Sequence, residues 1–176
     1  MKHHLQDNDD NVAPATEKLD WKFKVATDGD VNPAVEALSV HMNDPQRAAF
    51  RDKLQRYVRN SDRELIVAVH GGQTIGLVCV IEQAQLPPRF PEQKASQLRN
   101  FACGTQLLVH PSFRKQGVGG SLLTRAEVWA HEHGLTGFWI VTHRKAAWYR
   151  SHFGYQEIGR IDDKGVEKIV LAKTFE

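Results

Sequence analysis

The chain has 176 residues, 41% of them hydrophobic and 25% charged, with 23 Lys and Arg against 21 Asp and Glu. That length is most simply one domain with a sizeable core, and a net charge of +2 with interleaved signs gives no electrostatic case for nucleic acid. No run is long and apolar enough for a membrane span, and two cysteines without metal or disulfide spacing fit a reducing cytoplasm.

Residues 1–18 are polar and lack the apolar centre of a signal peptide. They are expected to form a disordered tail ahead of a domain over 19–176. The alternation in "WKFKVAT" (21–27) predicts a first strand. Asn32 as cap and Pro33 at the first helical position then predict a helix burying Val35, Leu38 and Met42. Asp44 and Pro45 repeat the device before Phe50, Leu54, Tyr57 and Val58. Two β-rich runs around Gly71-Gly72 predict a hairpin. Residues 83–100 hold three prolines and little periodicity, so a long loop is expected. "FACGTQLLV" reads as a strand and, after a glycine-rich stretch, Leu122, Ala126, Trp129 and Ala130 give a helix its buried stripe, with Gly134 as its stop. "GFWIVTH" is a strand, "RKAAWYRSHF" a short helix, and "YQEIGRI" and "EKIVLAKTF" the last two strands. The order β-α-α-β-β-β-α-β-α-β-β predicts one α/β domain with a mixed sheet.

The stretch "FRKQGVGGSLL" (113–123) sets three glycines in four positions behind two cations, where a strand gives way to a helix. Gly117, Gly119 and Gly120 each weaken a helix relative to alanine, which implies that something approaches the backbone there. Free N–H groups at a helix start, together with the positive end of the dipole, suit a phosphate. The dinucleotide pattern G-x-G-x-x-G fails because Leu122 stands at the third glycine, and the nucleoside-triphosphate pattern G-x-x-x-x-G-K-[ST] is absent. What the stretch does fit is R-x-x-G-x-G, from Arg114 to Gly119.

With this motif inside "LLVHPSFRKQGVGGSLL", the later "AAWYRSHFGYQEIG", the two early helices and the hairpin, the chain from about residue 19 onward resembles the GCN5-related N-acetyltransferase (GNAT) superfamily. The resemblance implies a GNAT fold of the α/β class: one domain whose mostly antiparallel mixed sheet splays between its fourth and fifth strands, flanked by helices. It implies acetyl-CoA as cosubstrate, with the pyrophosphate received by Gln116, Gly117, Val118, Gly119, Gly120 and Ser121 and assisted by Arg114. Arg114 has a second reading, a structural pairing, and Lys115 reads as a solvated flank. By the same resemblance the backbone of Leu107, Leu108 and Val109 hydrogen-bonds the pantetheine, one amide facing the thioester carbonyl. The implied function is acetyl transfer to an amine by direct attack in a ternary complex, in the cytoplasm. The acceptor is a small-molecule or peptide amine, nucleic acid and membrane are not partners, and a homodimer is left open. A non-catalytic acyl-CoA sensor is the alternative, and a domain binding ATP or NAD a third reading.

The family places its proton donor, a Tyr, in N-x-x-A-x-x-[FL]-Y-x-x-x-G-F, and Tyr149 is the one Tyr on the corresponding helix. A reference thiol near 8.5 and a Tyr near 10 make donation to a thiolate feasible. The other reading is a core Tyr whose hydroxyl bonds the backbone. Tyr149 stands five residues before Gly154, one more than the pattern. The four-residue register selects Arg150 and aligns His143 with the family Asn, which puts His143 among the cofactor-contacting residues. The fourth strand offers no carboxylate as base; His143, Glu82 and His110 are candidates through water, each with a plain surface or strand-end reading. His131 and His133 are two apart and do not share a helix face, so no metal is expected.

Overall fold

The computed structural model describes residues 20–86 and 90–176, so the expected tail at 1–18 lies outside the described residues. One sheet of seven strands runs through the domain. Its strands are β1 (Lys22–Val25), β2 (Arg63–His70), β3 (Gln73–Ile81), β4 (Phe101–Val109), β5 (Gly137–Thr142), β6 (Gln156–Asp163) and β7 (Val166–Thr174). Their spatial order is β1-β2-β3-β4-β5-β7-β6, antiparallel throughout except between β4 and β5. A parallel neighbour requires a crossover, which is α4 (Val118–Glu132).

Helices cover both faces. On one side α1 (Asp28–Leu38) and α2 (Asp44–Arg59) bury Val31, Val35, Phe50, Leu54 and Tyr57 against Leu65, Leu77, Cys79, Cys103 and Trp139. On the other, α4 and α5 (Ala146–Phe153) bury Val118, Leu122, Ala126, Trp129 and Tyr149 against Ile66, Val78, Val80, Phe138 and Ile140. The stripe expected on α4 is the one buried. Burial pushes the Cys79 thiol up to about 12 and the Cys103 thiol upward as well, so both behave as small apolar core residues.

Three boundaries differ from the sequence expectation. Helix α1 starts at Asp28 rather than at Pro33, because the Asp30 carboxylate accepts from the Thr27 N–H at 2.9 Å and from its hydroxyl at 3.0 Å. That fastening outweighs the single intrahelical bond lost at Pro33, which lies inside the helix. Asn32, expected as the cap, instead accepts from Arg51 Nε at 2.9 Å and ties α1 to α2. The α2 cap is Asn43 rather than Asp44, through a reciprocal pair with Gln46 at 3.0 Å each way. The long connection before β4 is more ordered than a loop: it contains α3 (Glu92–Ala95) and a 3-10 turn (Ser96–Leu98). Phe90 and Leu98 are buried there on the α1/α2 side, and the Phe90 ring fills the space a side chain at Gly159 of β6 would need.

The feature that positions a site is the parting of β4 from β5. The two pair from Phe101↔Gly137 to Gly104↔Ile140 and no further, while β5 stays paired to β7 through Thr142. At the same point the β3–β4 register shifts: Cys79 faces Gln106 and Val80 faces Gly104, leaving Thr105 as an extra residue. A bulge bends its strand and leaves the ladder locally unpaired. From Thr105 to Val109 the β5-facing edge of β4 is therefore open, forming one wall of a V.

Candidate active site

The glycine-rich turn follows the end of β4, at the open end of the V. After β4, a 3-10 turn (Pro111–Phe113) leads through Lys115 (φ 61°) and Gly117 (φ 89°) into α4. Both residues are left-handed, a conformation that costs Lys115 stability and Gly117 little. Two side chains fasten the turn: Arg114 Nε donates to the Val109 carbonyl at 3.1 Å, and Gln116 Nε2 to the Ser112 carbonyl at 3.0 Å. Both expected cofactor contacts thus have structural work as well, in Arg114 through a carbonyl rather than a carboxylate.

The first intrahelical bond of α4 runs from the Ser121 N–H to the Gly117 carbonyl at 3.0 Å. The N–H groups of Val118, Gly119 and Gly120 precede it and have no intrahelical partner. They sit at the positive pole of a 15-residue helix, and residues 110–125 contain no carboxylate. Such a helix start has the backbone groups that suit an anion. A side-chain carbon at Gly119 would lie 3.5 Å from Val109 Cγ2, in ordinary contact with the end of β4. One at Gly120 would come within 2.9 Å of the Phe153 ring at the end of α5. Gly120 therefore also serves the packing of α5 on α4. Val118 contributes only backbone, since its side chain is buried at 1% exposure. Leu107 and Val109 pack on the α4/α5 side and Leu108 on the α1/α2 side, leaving their backbone toward the gap.

Tyr149 lies in the α4/α5 core at 8% exposure, its ring centroid 4.8 Å from that of Trp148 and 5.8 Å from that of Tyr155. Its hydroxyl takes no hydrogen bond from the described residues, yet is not among the buried unpartnered atoms. Burial raises its pKa, so the group is a protonated phenol at neutral pH. The end of α5 is wound wider than its body. The Gly154 N–H donates to the Tyr149 carbonyl, five residues back instead of four, and the Tyr155 N–H reaches the same carbonyl at 3.4 Å. The last turn is one residue wider than an α-turn, and Arg150 is exposed on the outer face.

Tyr155 has the arrangement of a structural tyrosine. Its hydroxyl donates to Glu127 Oε1 at 2.8 Å, and Lys173 Nζ donates to Glu127 Oε2 at 2.7 Å. Burial, then the Glu127 charge, pushes its pKa far up. Tyr155→Phe removes a hydrogen bond to a charged group worth about 1.5–3 kcal/mol, so the melting temperature should fall by roughly 3–12 °C. Turnover per folded molecule should be unchanged, which an assay at low temperature will check.

The three base candidates separate. Glu82 follows β3 at the closed end of the sheet, beside Asp62, away from the gap. His110 Nδ1 accepts from the Ser112 N–H at 3.2 Å and caps the turn. His143, exposed at the end of β5, meets the Glu167 carbonyl through Nδ1 at 3.0 Å. A carbonyl only accepts, so Nδ1 carries a proton. The structure thus brings His143, Leu107–Val109 and the glycine turn to the open end of the V, and leaves Glu82 elsewhere.

Sequence reasoning missed the contact made at the bulge of β4. Tyr57 of α2 reaches across to hydrogen-bond the Thr105 hydroxyl at the bulge, with the Arg63 guanidinium over its ring at 5.6 Å. Burial raises the Tyr57 pKa. A helical stripe marks Tyr57 only as core, and the bulge that brings Thr105 to it is a property of two paired strands, invisible in either alone.

Among the described residues, no helix is long and apolar enough to cross a membrane. The sequence profile described as "Acetyltransferase (GNAT) family" matches residues 33–155, from α1 through α5. None of the curated proteins compared with the chain matches it. Among solved structures, it is similar to the PaiA N-acetyltransferase from Thermoplasma acidophilum in complex with coenzyme A. The identity there is 14% and the TM-score 0.63, over 89% of this chain and 100% of that one. An aminoglycoside 6'-acetyltransferase type Ii aligns at 15% identity and TM-score 0.69, over 87% of this chain and 96% of that one. An aminoglycoside 6'-N-acetyltransferase complexed with coenzyme A aligns at 13% and 0.65, over the same shares. At such identities the likeness establishes the fold, the expected mixed α/β sheet open between β4 and β5. The profile supplies what the likeness alone does not, since it covers most of the sequence: the chain belongs to the acetyltransferase (GNAT) family.

Proposed function

We propose that the protein is an N-acetyltransferase that moves an acetyl group from acetyl-CoA to an amine by direct attack in a ternary complex. The observation that carries this reading is the juxtaposition of an anion-receiving helix start with an unpaired strand edge at one gap. The N–H groups of Val118, Gly119 and Gly120 suit the pyrophosphate, and the open edge of β4 suits the amides of the pantetheine. The bound coenzyme A in two of the similar structures supports the cosubstrate.

Acyl transfer needs a neutral amine, a polarised carbonyl and a protonated leaving group. A backbone N–H of Leu107–Val109 aimed at the thioester oxygen would stabilise the charge that develops there. The new C–N bond forms as the C–S bond breaks; the nitrogen's proton leaves to water at the open mouth. Tyr149 gives the thiolate its proton, a role supported by a hydroxyl that has no partner among the described residues and that burial keeps protonated. Free thiol released from acetyl-CoA over a panel of amines tests the reading; release with none of them would favour the acyl-CoA sensor.

The segment from 83 to 100 borders the acceptor side in this reading, because its Phe90 and Leu98 lie on the face that carries Tyr57 and Thr105. Shortening it between Gln83 and Phe90 should change the acceptor KM several-fold and leave the coenzyme A affinity nearly unaltered. An unchanged acceptor profile would reduce the segment to a surface covering.

A further inference from the structure

We propose that Phe23 of β1 and Arg125 of α4 recognise the nucleotide end of the donor, the base lying against Phe23 and the 3'-phosphate on Arg125. The proposal rests on coenzyme A as cosubstrate and adds two residues that lie outside the glycine turn. A cavity of about 490 Å³, within the usual range of small-ligand sites, runs over the outer face of α4. Gly117 and Gly120 belong to its lining, so it adjoins the free N–H groups of Val118, Gly119 and Gly120. Phe23, Ser121, Thr124 and Arg125 line it as well. Helical spacing sets this up, since Gly117, Ser121 and Thr124 share a stripe opposite the buried Leu122, Ala126 and Trp129.

Arg125 stands one turn beyond Ser121. Side chains on a helix tilt toward its N-terminus, so the guanidinium covers the turn nearer the glycines. Its Cα lies about 7.5 Å along the axis from Gly120, so a second phosphate one sugar away from the pyrophosphate comes within its reach. Arg125 is exposed and has no hydrogen bond or ion pair among the described residues, whereas Arg114 is held by the Val109 carbonyl. No residue lining the cavity is acidic, and Glu127 on the other flank of α4 is taken by Tyr155 and Lys173. An uncompensated guanidinium is the charge complement of a phosphomonoester. Phe23 alternates with the exposed Lys22 and Lys24 and packs on the α4/α5 side of the sheet. It offers a purine a flat apolar surface, and the hydroxyls of Ser121 and Thr124 face the sugar.

Calorimetric titration of the parent, Arg125→Gln and Phe23→Leu with coenzyme A, 3'-dephospho-coenzyme A and 4'-phosphopantetheine tests this. The parent should bind coenzyme A about tenfold more tightly than the dephospho form at low ionic strength, and the gap should narrow as salt rises. Arg125→Gln should bring coenzyme A down to the level of the dephospho form and leave the other two ligands as in the parent. Phe23→Leu should weaken both nucleotides about fivefold or more through lost stacking, with 4'-phosphopantetheine unaltered. A parent that does not distinguish the two nucleotides, or an Arg125→Gln protein that still prefers coenzyme A, would overturn the assignment. So would a Phe23→Leu protein in which 4'-phosphopantetheine weakens as much as coenzyme A, since that marks a structural role. Each of these leaves the acetyltransferase reading intact, whereas a parent that binds none of the three ligands overturns that reading and the assignment together.

Discussion

Gly119→Val should erase the thermal stabilisation by coenzyme A while leaving the ligand-free protein folded. The parent, at a ligand concentration a hundred times Kd, should gain about 2.7 kcal/mol, or roughly 5–10 °C for a domain of this size. Gly119 lies in the first turn of α4 with ordinary helical geometry, and a carbon there meets Val109 only at van der Waals distance. The ligand-free melting temperature should therefore stay near the parent's. The added methyls would stand where a pyrophosphate must approach the backbone, and the shift should vanish. Gly117→Val is the poorer variant, since φ of 89° strains any side chain. A Gly119→Val protein that binds coenzyme A as tightly as the parent would remove the phosphate from this turn.

Tyr149→Phe should lower turnover by about a hundredfold or more, the usual worth of a positioned general acid. The ring keeps its packing against Trp148 and Tyr155, and no hydrogen bond to the described residues is lost, so stability and acetyl-CoA binding should barely change. A fall in kcat at steady KM marks an interaction made mainly in the transition state. Arg150→Ala belongs in the same assay, because the shorter register would select that position. Full activity in Tyr149→Phe with loss in Arg150→Ala or His143→Ala would move the acid. Tyr155→Phe supplies the contrast: a less stable protein with normal turnover.

Elements governed by local period were legible in the sequence. The Leu122, Ala126, Trp129 and Ala130 stripe and the Gly71-Gly72 hairpin follow from side-chain spacing and turn chemistry alone. Starts of helices were read less well, because proline is a weaker signal than a carboxylate that ties down a cap, as Asp30 does at Thr27. The glycine turn was legible because three glycines in four positions have few structural uses. That Gly120 also makes room for Phe153 was not, since the contact joins residues far apart in the chain. The wide last turn of α5, between Tyr149 and Gly154, is a matter of backbone geometry that residue spacing does not show. The contact between Tyr57 and Thr105 was hidden for a deeper reason. It depends on one residue of register between β3 and β4, and register is decided by both strands together.

The most direct measurement is to incubate the purified protein with acetyl-CoA and the amine panel, following free thiol and the mass of each amine. The account predicts thiol release that requires an amine, matched mole for mole by acetylated product, and lost in Gly119→Val. Thermal stabilisation by coenzyme A with no acetylated product from any amine would contradict it and leave a binding domain in place of an enzyme.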